Sequence, residues 1–391
     1  MYDELRLGRI YGKQKYFEKN FILSASKKGI DPLLQERALH CLEYIAQLNA
    51  AGFDFVFKGG TACQLLTAED LQRLSIDVDI SADIGEKELE KIVGDICLKF
   101  GGKVYKYCKV PKKGLDKVPL AMFNIEAPTY FPAQKAETMI KLDAVLHKPE
   151  YELVKSKLKT FYYDSDVQVA TPTANSMLGD KLSAIGPNTI GIPLARAIDC
   201  IKQFYDIDNL LRISTDLHGV ADAYQKCFAE VSAFRDLKVD IDDALADLAN
   251  TCKIMTAVPY VPPWVRDKTL LGNIESMSNA VAGFTGYLTK NNRLSKRKLR
   301  EMASRTALLS KFVQLELKGK SIPDALKLMK GLEANLQNVL GAIPKIEDQL
   351  RKIPEKERWH LYIKEFRGAP IAMLCWYGYW YPDEFVELVE R

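Results

Sequence analysis

The sequence predicts an α+β protein: a mixed sheet of about five strands flanked by helices up to residue 172, followed by a region of long helices. Three observations carry this. Short apolar-alternating runs recur between residues 53 and 147. From about residue 173 the period-2 pattern gives way to helical periodicity. The 391-residue length exceeds one ordinary hydrophobic core, so two domains are expected.

Residues 2–50 read as helical and end in "LLQERALHCLEYIAQLNAAG", which Gly52 can stop. "FDFVFK" (53–58) is a short strand running into Gly59-Gly60, and "TACQLL" opens a helix with Thr61 as its cap. "SIDVDIS" (75–81) alternates in strand fashion. With Ile76, Val78 and Ile80 toward the core, Ser75, Asp77 and Asp79 line the opposite face. "EKELEKIVGDICLKF" (86–100) is an amphipathic helix closed by Gly101-Gly102. Strands follow in "KVYKYCKV" (103–110), "LAMFNIEA" (120–127) and "TMIKLDAVLH" (138–147). Helical patterns then run over 173–185, 193–213, 216–233 and 240–253, with several more between 266 and 341. The expected division is N-terminal helices over 1–50, a sheet-bearing domain over 51–190 and an α-helical domain over 191–391.

Hydrophobic content of 47% and charged content of 27% belong to a globular protein. No apolar run is long enough to span a bilayer, and the N-terminal stretch is charged where a signal peptide would be apolar, so a cytoplasmic protein with no membrane partner is expected. The eight cysteines show no Cys-x-x-Cys and no nearby His pairs, which points to buried free thiols rather than a zinc site. A net charge of +4 is too small to imply nucleic-acid binding by itself, and a monomer is expected.

The stretch "FKGGTACQLLTAEDLQRLSIDVDIS" (57–81) raises the question of chemistry. Carboxylates at i and i+2 of a strand project to one side, about 6–7 Å apart at the backbone, and suit one or two Mg²⁺ ions. Two such ions stabilise both oxygens of an in-line displacement. A Gly-Gly turn lets backbone N–H groups approach a triphosphate, and the following helix N-terminus favours its charge. The plainer alternative is a surface turn followed by a strand with polar edges. Asp143 adds weight to the first reading. It stands between Leu142 and Ala144 in an otherwise apolar strand, where desolvating a lone carboxylate is expensive unless a metal or a transferable proton justifies it.

Gly-Gly-Thr, then "RLSIDVD" (73–79), then Lys-x-Asp on a strand resembles the nucleotidyltransferase superfamily of polymerase-beta type. More narrowly, "FKGGTA…RLSIDVDI" resembles the AbiEii/AbiGii toxin family of abortive-infection systems. "FEKNFILS" (17–24) is similar to that family's Glu-Lys-Asp-aromatic segment, with Asn20 where Asp is usual. "MLGDKLSAI" (177–185) resembles its helical Lys-containing motif. "IKQFYDIDNL" (201–210) resembles its Lys/Arg-Asp-aromatic-aromatic-Asp motif, with Gln203 at the first Asp. The similarity spans about residues 17–210.

The resemblance implies a polymerase-beta-like catalytic domain that uses an NTP with Mg²⁺ or Mn²⁺. Gly59, Gly60 and Thr61 would hold the phosphates, with Ser75 as a hydroxyl donor beside them. Asp77 and Asp79 would bind metal, and Asp143 would complete the triad. Lys181 would neutralise the β- and γ-phosphates, Asp206 would help hold Lys181 or the nucleotide, and Lys141 would touch phosphate. A helical Lys is ordinarily a solvated charge, Asp206 an ion-paired helix residue, and Lys58, Arg73 and Lys141 ordinary strand-edge charges. The implied activity is transfer of nucleotides to RNA, at the tRNA 3′ end, by a growth-arresting toxin with a cognate antitoxin. Nucleotidylation of a small molecule or of a protein, and a non-catalytic nucleotide-binding regulator, stand as alternatives.

Two stretches suit a polyanion. "NNRLSKRKLREMASR" carries Arg293, Lys296, Arg297, Lys298, Arg300 and Arg305 against one Glu, a cationic helix able to follow a phosphate backbone. "KVYKYCKVPKKG" interleaves Lys103, Lys106, Lys109, Lys112 and Lys113 with Tyr105 and Tyr107, which could stack on bases. Either run could equally be a solvated face. "CWYGYWYP" (375–382) reads as a C-terminal core seal.

Overall fold

The computed structural model describes residues 10–99, 105–111, 118–131, 139–258, 260–261, 263–361 and 369–390. The described residues of Met1–Thr173 together with Thr285–Arg293 make one compact unit, and those of Ala174–Phe284 and Leu294–Arg391 make a second.

In the first unit a short helix, α1 (Lys19–Leu23), precedes α2 (Pro32–Ala50), which starts where the Asp31 carboxylate accepts from Leu33 N and a proline occupies the first turn. Then come β1 (Val56–Lys58), α3 (Gly59–Leu66), β2 (Asp77–Ser81), α4 (Glu86–Lys99), β3 (Lys106–Lys109), β4 (Leu120–Glu126), β5 (Met139–Val145), β6 (Leu153–Thr160) and β7 (Tyr163–Pro172). These strands form one seven-stranded mixed sheet in the order β3-β4-β5-β2-β1-β7-β6. The pairs β2/β5 and β1/β7 are parallel and the others antiparallel.

The sheet thus has seven strands rather than the expected five. The two extra strands are the hairpin over 153–172. In β6, Lys155, Lys157 and Lys159 are exposed while Ser156, Leu158 and Thr160 turn inward. The period of two is present, but the inward set is mostly hydroxyl, so apolar patterning misses it. An edge strand bearing lysines is also protected against pairing with another chain.

Helix α2 is buried almost all round, and its two buried glutamates tie down loops. Glu43 accepts from Tyr11 N at 3.1 Å, Gly12 N at 3.0 Å, Gln47 Nε2 at 2.6 Å and Tyr163 OH at 2.9 Å. Burial pushes the Glu43 carboxyl up, and these donors only partly offset it. Glu36 receives the Thr129 hydroxyl and, at 3.0 Å, Tyr130 N.

The second unit comprises α5 (Ala174–Ser183), α6 (Ala197–Ile213), α7 (Leu217–Arg235), α8 (Ile241–Thr256), α9 (Lys268–Phe284) and α10 (Lys296–Leu317), then shorter helices that include Pro370–Trp380 and Pro382–Val389. Helices α5 and α7 pack so closely that a β-carbon on Gly179 would fall 2.5 Å from Val220 O. Helix α10 packs against α6, α7, α8 and Pro370–Trp380, burying Leu299, Met302, Ala303, Leu308 and Phe312. The aromatic C-terminal run is core, as its composition suggests: Trp376 is fully buried and its Nε1 donates to Thr256 Oγ1 at 3.2 Å.

All eight cysteines are free thiols; seven are buried and Cys108 is exposed. Among the described residues no helix is long and apolar enough to cross a membrane.

Candidate active site

The strand register decides which charges share a face. Lys58 of β1 is opposite Asp79 of β2. Across the parallel β2/β5 pair, Asp77 is opposite Lys141 and Asp79 is opposite Asp143. Register partners in a sheet point the same way, so Lys58, Asp77, Asp79, Lys141 and Asp143 all lie on one face. The other face carries Phe57, Val78, Ile80, Leu142 and Ala144, every one buried. Neighbouring strands are about 4.8 Å apart, which sets the backbone spacing of Asp79 and Asp143. The three carboxylates are half-buried and Lys141 is exposed.

This changes the argument for Asp143. Its neighbours Leu142 and Ala144 are buried, but they occupy the opposite side of the strand. Asp143 belongs to the polar side with Lys141, so the full desolvation penalty expected of a buried strand does not apply.

The Gly-Gly turn is shaped by those carboxylates. Gly59 opens α3 at φ +73°, a left-handed backbone that side chains resist, and a β-carbon there would land on the Asp79 carboxylate. At Gly60 a β-carbon would fall 2.5 Å from Arg73 Nη2 and 3.0 Å from Ser75 Oγ. Gly59 therefore needs to be glycine, and the missing side chain at Gly60 lets Arg73 and Ser75 lie against the start of α3. Arg73, readable as a strand-edge charge, is buried, and its Nη1 donates to Leu74 O at 2.9 Å. Leu74 N donates to Tyr287 O at 2.9 Å, in the Thr285–Arg293 segment that returns to this unit. Nothing in the sequence pattern signals that return.

Thr61 departs from its expected roles. Helix α3 begins at Gly59, so Thr61 lies inside the helix rather than capping it. Its hydroxyl is buried and donates to Asp77 O at 2.5 Å, fastening α3 to β2 instead of facing a phosphate. Ser75 is buried beside Gly60, ahead of the strand, which starts only at Asp77.

Among the described residues no group of three or more His, Cys, Asp or Glu side chains forms a ready-made metal cage. Three carboxylates on one face would still offer oxygen ligands to a hard divalent ion such as Mg²⁺ or Mn²⁺. Mg²⁺ takes one or two protein carboxylates and completes its shell with substrate phosphates and water. Asp79 with Asp143 across the sheet, and Asp77 two residues along, would be its protein ligands.

In the second unit, Lys181 of α5 and Asp206 of α6 form an ion pair, Nζ to Oδ2 2.9 Å, with the residues 4% and 3% exposed. Lys181 is therefore no solvated helix charge. Gln203 donates to Asp199 O at 3.4 Å, and Asn20 is exposed on α1.

The basic stretches are less uniform than they read. Arg293, Lys296 and Arg297 are exposed, with Arg297 Nε 3.2 Å from Glu301. Arg300 is buried and cannot meet a phosphate backbone: its Nε donates to Thr256 O at 3.0 Å. Lys298 lies 3.4 Å from buried Asp208, and buried Arg305 reaches Asp208 at 3.0 Å and Glu333 at 2.6 Å. Burial alone would raise the Asp208 carboxyl, but the Lys298, Arg305 and Arg212 charges outweigh it and hold it below the usual carboxylate range. Helical position explains the difference, since α10 is a core helix and its inward cations must be paired. Tyr105 is likewise buried, 3.1 Å from His40 Nδ1, and offers no ring to a base. Lys109 is engaged by Glu86 at 2.8 Å and Glu90 at 2.9 Å. Lys103, Lys112 and Lys113 lie outside the described residues.

A mixed sheet whose carboxylates sit on adjacent parallel strands, beside a side-chain-free turn that opens a helix, is an arrangement suited to nucleotidyl transfer. The family model described as "Nucleotidyl transferase AbiEii toxin, Type IV TA system" matches residues 43–257, more than half of the chain, and the chain belongs to that family. It is thus a toxin of a type IV toxin–antitoxin system, a membership that implies an antitoxin partner. No curated protein matches the chain.

Proposed function

We propose that this toxin transfers a nucleotide from an NTP to RNA, at the 3′ end of tRNA, with Mg²⁺ or Mn²⁺, and so arrests translation in the cytoplasm. The observation that carries the reading is the pairing of Asp79 with Asp143 on one sheet face, with Asp79 pressed against Gly59. Bound to these carboxylates, the ion would offset the charge that builds on the phosphoryl oxygens.

The residues themselves do the rest. The N–H groups at the head of α3, bare of side chains at Gly59 and Gly60, receive phosphate oxygens. Ser75 adds a hydroxyl, and Lys141 meets phosphate charge from the strand that carries Asp143. Lys181 of the second unit, paired with Asp206, keeps the phosphate role that the family resemblance implies for it. Asp143 takes the proton of the attacking ribose hydroxyl. The new bond joins that oxygen to the α-phosphorus, the α–β bridging bond breaks, and pyrophosphate leaves with its electron pair.

The test is to incubate the protein with α-phosphate-labelled NTPs, divalent metal and total RNA. Label at RNA 3′ ends, lost in Asp77→Ala, is the expected result. Label on protein or on a small metabolite but never on RNA would overturn the acceptor assignment.

A further inference from the structure

Arg300 serves as a support. It is 4% exposed, and its Nε and Nη2 donate to Thr256 O at 3.0 Å and Val258 O at 3.5 Å, carbonyls at the end of α8. Thr256 is itself fixed by Trp376. The Arg300 guanidinium carbon lies 5.4 Å from the centre of the Tyr260 ring, within cation–π range. Tyr260 is thus held from one side by a buried, hydrogen-bonded cation while remaining 50% exposed. Trp264, four residues on, is 41% exposed. Among the described residues the exposed large hydrophobic side chains include just three aromatics, Tyr107, Tyr260 and Trp264. Two of them fall in this one short segment.

The surroundings are basic. Arg266 and Lys268 are exposed next to Trp264 in sequence. Lys296 and Arg297 are exposed on the first turn of α10, four and three residues before Arg300, and so share its side of the helix. Two carboxylates oppose them, and both are engaged. Asp267 accepts from Thr269 N and Leu270 N, and Glu301 pairs with Arg297.

We propose that Tyr260 and Trp264 form a stacking platform for unpaired bases of single-stranded RNA, with Arg266, Lys268, Lys296 and Arg297 on its phosphates. The platform rests on the RNA-acceptor reading above and adds where the strand is gripped. An aromatic face binds any base because every base has a π-face, and one exposed stacking residue contributes about 5- to 150-fold in affinity. A ring fixed by Arg300 loses little freedom when a base settles on it. Exposed Tyr and Trp also suit a protein interface, but the excess of exposed cations favours a polyanion.

The experiment is anisotropy of a fluorescein-labelled 12-nucleotide oligo(U) RNA with full-length protein and no NTP, across a salt series. Tyr260→Ala and Trp264→Ala should each weaken binding about tenfold with unchanged melting temperature, and Tyr260→Phe should bind like wild type because the ring matters and the hydroxyl does not. Reversing Lys296 and Arg297 to Glu should flatten the log–log salt slope by about 0.7 unit per lost phosphate contact on a single strand. Alanine variants that bind oligo(U) like wild type overturn the platform. So does a Tyr260→Ala that keeps RNA binding but loses binding to a cognate antitoxin protein. In either case wild-type labelling of RNA 3′ ends leaves the acceptor reading intact. Absence of RNA labelling by wild type defeats the acceptor reading and, with it, the platform.

Discussion

The two units treat charge in opposite ways. In the sheet unit, Asp77, Asp79 and Asp143 are half-buried on one polar face, beside an exposed Lys141. In the helical unit, Asp206 and Asp208 are buried and matched to Lys181 and Arg305. Removing a charge from the first face should therefore act mainly on chemistry. Removing one from the helical pairs should act first on stability, because it strands an uncompensated ion.

The largest expected effect is on the sheet face. Asp79→Asn or Asp143→Asn should lower nucleotide transfer at least about 100-fold, since a lost ligand or base removes several kcal/mol of stabilisation. Thermal midpoints should stay close to wild type in unfolding scans. A large drop in melting temperature would erase the distinction between the units.

Lys181→Met should destabilise the fold by about 3–5 kcal/mol by leaving buried Asp206 unmatched. The double variant Lys181→Met, Asp206→Asn should recover most of that stability. If the recovered protein also regains activity, Lys181 is a structural ion and its phosphate role is wrong.

Asp208→Asn should cost about 3 kcal/mol for the same reason. It also carries a pH signature. The folded-state pKa is depressed, so the stabilisation is present above the unfolded value near 3.8 and is lost as pH falls through the folded value. Acid unfolding below about pH 4 should be shallower in Asp208→Asn than in wild type.

A smaller contrast lies within the sheet unit. Gly52 and Gly59 both have positive φ, +83° and +73°, but a β-carbon at Gly52 meets nothing while one at Gly59 meets Asp79. Gly52→Ala should cost about 1 kcal/mol from backbone strain alone. Gly59→Ala should cost more and also reduce activity by displacing a site carboxylate. Equal effects on stability and activity would contradict the packing of Asp79 on the turn.

Much of the sheet side was legible because its pattern is local. Val78 and Ile80 alternate with Asp77 and Asp79, and the Gly-Gly turn announces a corner. The register that brings Asp143 opposite Asp79 was not legible, since pairing of distant strands leaves no mark in either strand alone. The β6/β7 hairpin escaped notice because hydroxyls outnumber aliphatics at the inward positions of β6. Charged residues misled most. Arg73, Arg300 and Arg305 read as exposed cations, and each is buried, Arg300 and Arg305 against a carbonyl and a carboxylate supplied by the tertiary fold; Lys181, read as a phosphate ligand, is buried against Asp206.

The most direct test of the central claim compares wild type and Asp79→Asn, at matched melting temperature, with α-phosphate-labelled NTP, Mg²⁺ and total RNA. Labelled RNA 3′ ends should appear with wild type and vanish with Asp79→Asn and with EDTA. Undiminished labelling by Asp79→Asn, or by wild type in EDTA, would contradict the assignment of this carboxylate face as the transferase site.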